Sequence, residues 1–295
     1  MTSARPFKSA AARELYLARY ALRAKAWPVP SEERAVPGSF GQTFVRISGP
    51  RDAPPLLLLP GIGSTGLSLA SLVAELSTQR RTFVIDNIHD VGRSVETKPV
   101  TSADDFTTWL EEVRLGLGLG PGPVDVLGLS YGGWISAQYA LRFPSSVRRV
   151  VLLAPAGTTA SIPFGFIWRA VLCALPSRAF MRGFMGWVAP ELKAQRAAVL
   201  EEMVEDGYLA TRSFASRRMV PPLPLSDEQW RSFTRPTLFL AGDREVIFPP
   251  HEAVEKLARV APAIETALLP GVGHDFFVVR AEEVNRRVLE FLSRV

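Results

Sequence analysis

Short apolar runs alternate with longer segments whose apolar positions recur at helical spacing, from about Phe40 onward. The runs are apolar almost throughout, a pattern typical of parallel strands that are covered on both faces. Strands are predicted at residues 43–48, 55–60, 81–86, 124–129, 148–154, 236–241 and 265–269. Helices are predicted between them at residues 67–78, 102–115, 131–143, 251–260 and 281–294. This rhythm predicts an α/β fold with a mostly parallel, doubly wound sheet.

Two segments depart from the rhythm. The interval between Ala154 and Pro236 is rich in Phe, Trp, Met and Leu and is too long for a structureless loop, so it predicts a mostly helical cap. Before the first strand, apolar residues at helical spacing precede two prolines, which predicts a helix that packs on its own domain. We therefore expect a helical arm at 1–39, a core at 40–157, a cap at 158–234 and a second core part at 235–295.

The composition is that of a globular protein, with 295 residues, 47% hydrophobic content and a formal charge of +5. The arginines are scattered rather than clustered, so nucleic-acid binding is not expected. Cys173 is the sole cysteine, which excludes an internal disulfide and favours a reducing, cytoplasmic setting. No run approaches the roughly 18 apolar residues of a membrane span, so stable membrane insertion is not expected.

A candidate nucleophile follows the fourth of the listed strands. Gly128-Leu129-Ser130-Tyr131-Gly132 fits the pattern G-x-S-x-G and lies between a predicted strand and a predicted helix. A nucleophile on such a sharp turn adopts strained backbone angles, and side chains two positions away would collide with it. The context therefore favours a catalytic Ser130 over a structural turn serine.

The glycine-rich turn after the second strand, PLLLLPGIGSTG, is a candidate oxyanion loop. With Ser130 as nucleophile, one oxyanion donor is the backbone N–H of Tyr131, and the other is expected from this earlier loop, at Ile62. A phosphate-binding role is disfavoured, because neither G-K-[ST] nor G-x-G-x-x-G is present.

A serine nucleophile needs a base that is neutral near pH 7, and the chain has three histidines. His89 precedes Ser130 in the chain, and His251 shares a loop region with the acidic candidates. His274 follows the last strand in a glycine-rich loop. The chain order serine, acid, histidine is satisfied by His274, so His89 and His251 are interpreted as local hydrogen-bonding residues.

With these positions fixed, the sequence resembles the α/β-hydrolases, and more closely the bacterial carboxylesterases of the Bacillus naproxen-esterase type. The resemblance rests on AWPVP, SFGQTFVRISGPRDAPPLLLLPG, VIDNIHDVGRS, LGLSYGGW, GDREVIFPPHEA and GVGH, and it is weakest across the cap. It implies hydrolysis of small-molecule esters through an acyl-enzyme, with no metal or organic cofactor. One departure is Pro60-Gly61 at the oxyanion loop, where this group commonly carries His-Gly.

The acid of the triad is either Asp243 or Glu245, both of which follow the strand at 236–241. Aspartate is the usual acid of such a triad, which favours Asp243. Spacing favours Glu245. In this fold the acid often lies three positions after a glycine and four positions before a proline, and Gly242, Glu245 and Pro249 match that spacing. We expect Ser130, Glu245 and His274 to form the triad, with Asp243 as the fallback acid and otherwise a turn residue that accepts from backbone N–H groups.

The predicted function is therefore that of a serine carboxylesterase acting on small apolar or aromatic esters. Alternatives on the same triad are a thioesterase, a lactonase, a C–C hydrolase and an interfacial lipase. A non-catalytic ligand-binding protein is an alternative of a different class, since fold alone does not fix function. A homodimer is a possible oligomeric state.

Overall fold

The computed structural model describes residues 7–215 and 218–294. Its strands are β1 (Ser31–Gly38), β2 (Gly41–Ser48), β3 (Pro55–Leu59), β4 (Arg81–Ile85), β5 (Val95–Glu96), β6 (Val124–Leu129), β7 (Val147–Leu153), β8 (Thr237–Gly242) and β9 (Glu265–Leu269). Its helices are α1 (Ala10–Ala24), α2 (Ala70–Leu76), α3 (Ala103–Gly116), α4 (Tyr131–Arg142), α5 (Phe164–Leu172), α6 (Arg178–Val188), α7 (Pro190–Gln195), α8 (Ala197–Ser213), α9 (Asp227–Arg231), α10 (Pro250–Val260), α11 (Phe276–Val279) and α12 (Ala281–Ser293).

The described strands form one sheet in the order β1-β2-β4-β3-β6-β7-β8-β9, with β5 paired to β2. Neighbours from β4 to β9 pair in parallel, whereas β2 is antiparallel to β1 and to β4. Each residue of β6 and β8 is buried, including Asp125 and Thr237 within otherwise apolar runs, as is typical of strands covered on both faces. The predicted α/β fold with a mostly parallel sheet is confirmed. Its parallel strands end at one common edge, where the site lies.

Strand β1 was not predicted, and it lies inside residues 1–39, where a helical arm was expected. Seven of its eight residues, Val36 being the exception, are exposed. Its sequence, SEERAVPG, is polar and contains a proline, as is typical of an edge strand that avoids pairing with other chains. A strand with a single buried side chain carries no apolar alternation, so its pattern does not predict a strand.

Helix α1 packs between the sheet and the cap. Its Tyr16 ring lies 4.7 Å from the ring of Phe214, which directly follows α8. Tyr20 lies 6.0 Å from Phe44 of β2. An ion pair of 2.7 Å joins Arg19 to Asp206 of α8. The first helix therefore links the cap to the core in addition to packing on the core.

Five helices, α5 to α9, fill the described part of the interval between β7 and β8. They enclose a small apolar cluster of their own that includes Cys173, Met181, Leu192, Leu200 and Val204. None of the helices in the described ranges is both long and apolar enough to cross a membrane.

The turn between β6 and α4 depends on two glycines. A Cβ atom on Gly128 would lie 2.2 Å from the carbonyl oxygen of Gly132. A Cβ atom on Gly132 would lie 2.3 Å from the carbonyl oxygen of Leu59, at the end of β3. Both distances are far below van der Waals contact with backbone, which cannot easily move away. The first turn of α4 therefore packs on the ends of β3 and β6 only because these side chains are absent.

Gly132→Ala is expected to destabilise the fold by about 1–3 kcal/mol or more, because the new methyl group overlaps the backbone of β3. Gly183→Ala is the matched control. Gly183 lies in α6 with no atom within 4 Å of its added Cβ, so helix propensity alone predicts a gain of up to about 1 kcal/mol. Denaturant unfolding measures both. Equal stability of the two variants would contradict the packing argument.

Candidate active site

Ser130 occupies the sharp turn between β6 and α4. Its backbone has a positive φ, with φ 53° and ψ −116°, which is unusual for a residue other than glycine. Ser130 N–H donates to the carbonyl oxygen of Leu153 at 2.8 Å, and Ser130 accepts from Ala156 N–H at 3.1 Å. These bonds to β7 and the following loop hold the strained angles. The serine is thereby fixed at the carboxyl edge of the sheet, at the beginning of α4.

The loop after β3 passes directly beside this serine. A Cβ atom on Gly61 would lie 3.3 Å from Ser130 Cβ and 3.8 Å from Ser130 Oγ. Ser64 Oγ donates to the carbonyl oxygen of Gly61 at 2.7 Å. The two predicted oxyanion residues therefore lie on the segments that flank Ser130, with Ile62 following Gly61 and Tyr131 opening α4.

Two buried aspartates after β4, neither of them predicted from the sequence, hold the glycine-rich loop after β3. Asp90 accepts from Gly63 N–H at 2.8 Å. Asp86 accepts from Gly66 N–H at 2.8 Å and from Arg93 N–H at 2.9 Å. Burial raises the pKa of Asp86 although these N–H groups oppose the shift. Their position at the carboxyl end of a core strand was the only signal in the sequence.

The acid and the histidine meet at the ends of β8 and β9. His274 Nδ1 lies 2.8 Å from Glu245 Oε2, and the Glu245 side chain is fully buried. The other oxygen, Oε1, accepts from Val246 N–H at 2.8 Å and Ile247 N–H at 2.9 Å. A carboxylate acceptor fixes the tautomer in which Nδ1 carries the proton and Nε2 is an acceptor. Glu245 is therefore held rigidly while it orients the imidazole ring.

The electrostatics of His274 follow from this pair. Burial lowers the pKa of His274, but the charge of Glu245 and the hydrogen bond to it raise the pKa, with a contribution from Asp275. The net result is a pKa above the ordinary value of 6.5. The imidazolium form of His274 is thus stabilised at this position.

Asp243 has a different partner. Its Oδ1 accepts from Gly271 N–H at 2.8 Å, and its own N–H donates to the carbonyl oxygen of Leu269. It thus ties the turn after β8 to the turn after β9. A Cβ atom on Gly242 would lie 2.0 Å from the carbonyl oxygen of Val272, so these two turns are in direct contact. Of the two candidate acids, the structure brings Glu245 to His274.

The other two histidines have local surroundings. His89 Nδ1 lies 2.6 Å from Glu96 Oε1, and Nε2 lies 3.0 Å from the carbonyl oxygen of Arg218. His251 is exposed in the first turn of α10. Across residues 7–215 and 218–294, no group of three or more His, Cys, Asp or Glu side chains is arranged to hold a metal ion.

Ser130, Glu245 and His274 follow β6, β8 and β9, three strands that run in parallel and end at the same edge. This arrangement combines a serine at a helix N-terminus, an oriented imidazole and a glycine-rich loop beside the serine. It has the parts that acyl transfer requires, namely a nucleophile, a base and backbone donors for an oxyanion.

Known proteins share this architecture. The sequence profile of the Alpha/beta hydrolase family matches residues 56–287. The chain is 30% identical to the carboxylesterase nap of Bacillus subtilis (strain 168) over 277 residues, which are 90% of this chain and 88% of that protein. It is 29% identical to the 2-hydroxy-6-oxo-2,4-heptadienoate hydrolase of Pseudomonas putida, covering 81% of this chain and 87% of that protein.

Among solved structures, the naproxen esterase (carboxylesterase NP) of Bacillus subtilis is similar over 94% of this chain and 97% of that one, with a TM-score of 0.86 and 28% identity. The profile match spans most of the sheet and the cap, and the relatives are covered over nearly their full lengths. The chain therefore belongs to the alpha/beta hydrolase family.

Proposed function

We propose that the protein hydrolyses carboxylic esters through an acyl-enzyme intermediate, with Ser130 as nucleophile, His274 as general base and acid, and Glu245 as the partner of His274. The observation that carries this proposal is the 2.8 Å contact between His274 Nδ1 and Glu245 Oε2 at the sheet edge that also holds Ser130. Similarity to the carboxylesterase nap and to the naproxen esterase supports the ester class.

In the proposed reaction, Ser130 Oγ attacks the ester carbonyl carbon while His274 Nε2 takes the hydroxyl proton. The N–H groups of Ile62 and Tyr131 stabilise the oxyanion of the tetrahedral intermediate. His274 then gives its proton to the leaving alcohol, and the C–O bond breaks to leave the acyl-serine. His274 next takes a proton from water, which attacks the acyl carbon, and returns that proton to Ser130 Oγ as the acid departs.

The cap is proposed to hold small apolar or aromatic ester groups over the serine. The cap contacts the site directly, since Tyr131 Oη donates to the carbonyl oxygen of Val220 at 2.7 Å and Trp134 Nε1 donates to that of Leu223 at 3.2 Å.

A cytoplasmic location is proposed because Cys173, the chain's single cysteine, is buried and free.

C–C bond hydrolysis on the same triad is a second candidate, favoured by the similarity to the Pseudomonas putida hydrolase. A comparison of kcat/KM for aryl esters, acyl thioesters, lactones and 2-hydroxy-6-oxo-dienoates separates these chemistries. The esterase proposal expects the aryl ester to exceed each of the others, and a preference of orders of magnitude for another class would overturn it.

Ser130→Ala is expected to abolish covalent labelling by a fluorophosphonate probe, because the probe phosphonylates an activated serine hydroxyl with loss of fluoride. The wild-type protein should be labelled in seconds to minutes at micromolar probe, as judged by in-gel fluorescence. Heat-denatured protein is the control for non-specific reaction. Failure of the folded wild-type protein to react would favour a non-catalytic ligand-binding protein on this fold.

Glu245→Gln is expected to lower kcat by about 10³–10⁴, because the amide no longer stabilises the imidazolium or fixes the tautomer. Asp243→Asn is the matched control. It retains an oxygen that can accept from Gly271 N–H, and its kcat should stay within about tenfold of wild type. Steady-state kinetics with a soluble aryl ester test both. The opposite ranking would make Asp243 the catalytic acid.

The acid limb of kcat/KM against pH is expected to have its midpoint above 6.5, because only neutral His274 can accept the proton of Ser130 and its pKa is raised. Activity should therefore fall as the pH drops through this midpoint. Residual activity of Glu245→Gln should show a lower midpoint, since the charge that raises the pKa has been removed. A wild-type midpoint at or below 6.5 contradicts the electrostatic argument.

A further inference from the structure

Helix α7 of the cap contacts the loop that carries His274. Its second residue, Glu191, accepts through Oε2 from Gly273 N–H at 3.1 Å, and Gly273 directly precedes His274. The next residue, Leu192, donates its N–H to Asp275 Oδ2 at 2.5 Å, and Asp275 directly follows His274. The histidine is therefore bracketed by two hydrogen bonds to the cap.

The same cap carboxylate also reaches the segment that carries Glu245. Glu191 Oε1 lies 3.6 Å from Arg244 Nη1, and Arg244 directly precedes Glu245. The Glu191 side chain is only 11% exposed, whereas that of Arg244 is 67% exposed. The hydrogen bond to Gly273 is accordingly the stronger of the two contacts, and the solvent-screened ion pair is secondary.

The His274 loop needs such external support. It contains Gly271, with φ +74°, and Gly273, so its backbone has more freedom than an ordinary loop. A Cβ atom on Gly273 would lie within 3.5 Å of Glu191 Oε2 and of the carbonyl oxygens of Arg244 and Val188. Gly273 is thus the point at which the ends of α6, α7 and the β8 turn converge. A base on a glycine-rich loop must be held to within about 0.5 Å to act efficiently.

We propose that Glu191 is a positioning residue for the triad: through Gly273 and Arg244 it holds the segments of His274 and Glu245 together whenever the cap is docked. The inference rests on the proposed function. It adds that the cap sets the geometry of the base as well as roofing the substrate, so that lifting α7 from the core would disable proton transfer.

The arrangement is not one that simply maximises the stability of the cap. Burial raises the pKa of Asp275 to about 6, and the charge of Glu191 adds to the shift. Two carboxyl groups therefore lie close together at the contact between α7 and the His274 loop. A contact that carries such an electrostatic cost is more readily explained by a role in the site than by a role in docking alone.

The test compares Glu191→Ala and Glu191→Gln with Glu201→Ala. Glu201 is a cap glutamate that forms an exposed 2.6 Å ion pair with Arg182, so its variant controls for loss of a cap ion pair away from the site. With a soluble aryl ester, kcat of Glu191→Ala should fall about 10–100-fold at a nearly unchanged KM, because the base is misplaced while the apolar contacts to substrate persist. Glu191→Gln keeps an acceptor for Gly273 N–H and should lie between Glu191→Ala and wild type. Glu201→Ala should match wild type.

A second readout does not depend on turnover. In Glu191→Ala, the NMR titration midpoint of His274 should drop toward 6.5, because a loosened loop weakens the hydrogen bond to Glu245. Wild-type kcat together with a wild-type His274 midpoint in Glu191→Ala would overturn the proposal, as would a lowered melting temperature as the sole change. Should Glu191→Ala fail to fold, Glu191→Leu, which also removes the acceptor for Gly273 N–H, decides by the same two criteria.

Failure of the proposed function is recognised separately. In that case the wild-type protein itself shows neither turnover nor fluorophosphonate labelling. The His274 titration in the Glu191 variants still tests whether the cap holds the histidine, since the midpoint reports the geometry of the His274–Glu245 pair. A shifted midpoint supports the positioning contact, and an unshifted midpoint rejects it.

Discussion

The strained backbone at Ser130, with its positive φ, is the constraint on which the rest of the site depends. Such angles cost of the order of 1–3 kcal/mol and persist only where the surroundings enforce them. Here the enforcement comes from hydrogen bonds to Leu153 and Ala156 and from the packing of Gly132 on the end of β3. The same packing brings the glycine loop of β3 beside the serine. The packing of α4 on the sheet therefore positions both the proposed nucleophile and the proposed oxyanion loop.

The parts of the fold with a strong hydrophobic signal were predictable from the sequence. The seven strands and five helices for which ranges were predicted have their counterparts within a few residues of those ranges. Strand β1 and the two-residue β5 were not predicted, because β1 buries only Val36 and β5 has no buried residue. The local pattern of apolar and polar residues identifies segments that are buried, and an edge strand has few buried residues.

The residues of the candidate site likewise differ in how strong a local signal they have in the sequence. Ser130 and His274 stand out because their residue types and glycine neighbours are local signals. The choice between Asp243 and Glu245 depended on register, since both acids follow the same strand and differ by two positions. The roles of Asp86, Asp90 and Glu191 could not be predicted. Each of them bonds to backbone that lies elsewhere in the fold, and such pairings exist only once the tertiary structure is known.

The contacts between α1 and the cap join segments that leave the ribosome far apart in time. Arg19 of α1 and its partner Asp206 are separated by 187 positions, and the aromatic cover of Tyr16 is supplied by Phe214. On a ribosome that delivers about 5–20 residues per second, α1 emerges many seconds before the cap that buries it. Tyr20 can pack on Phe44 soon after both are made, whereas Tyr16 and Arg19 have no partner until the cap has been synthesised. The contact between α1 and the cap therefore forms late, after most of the core strands have left the ribosome.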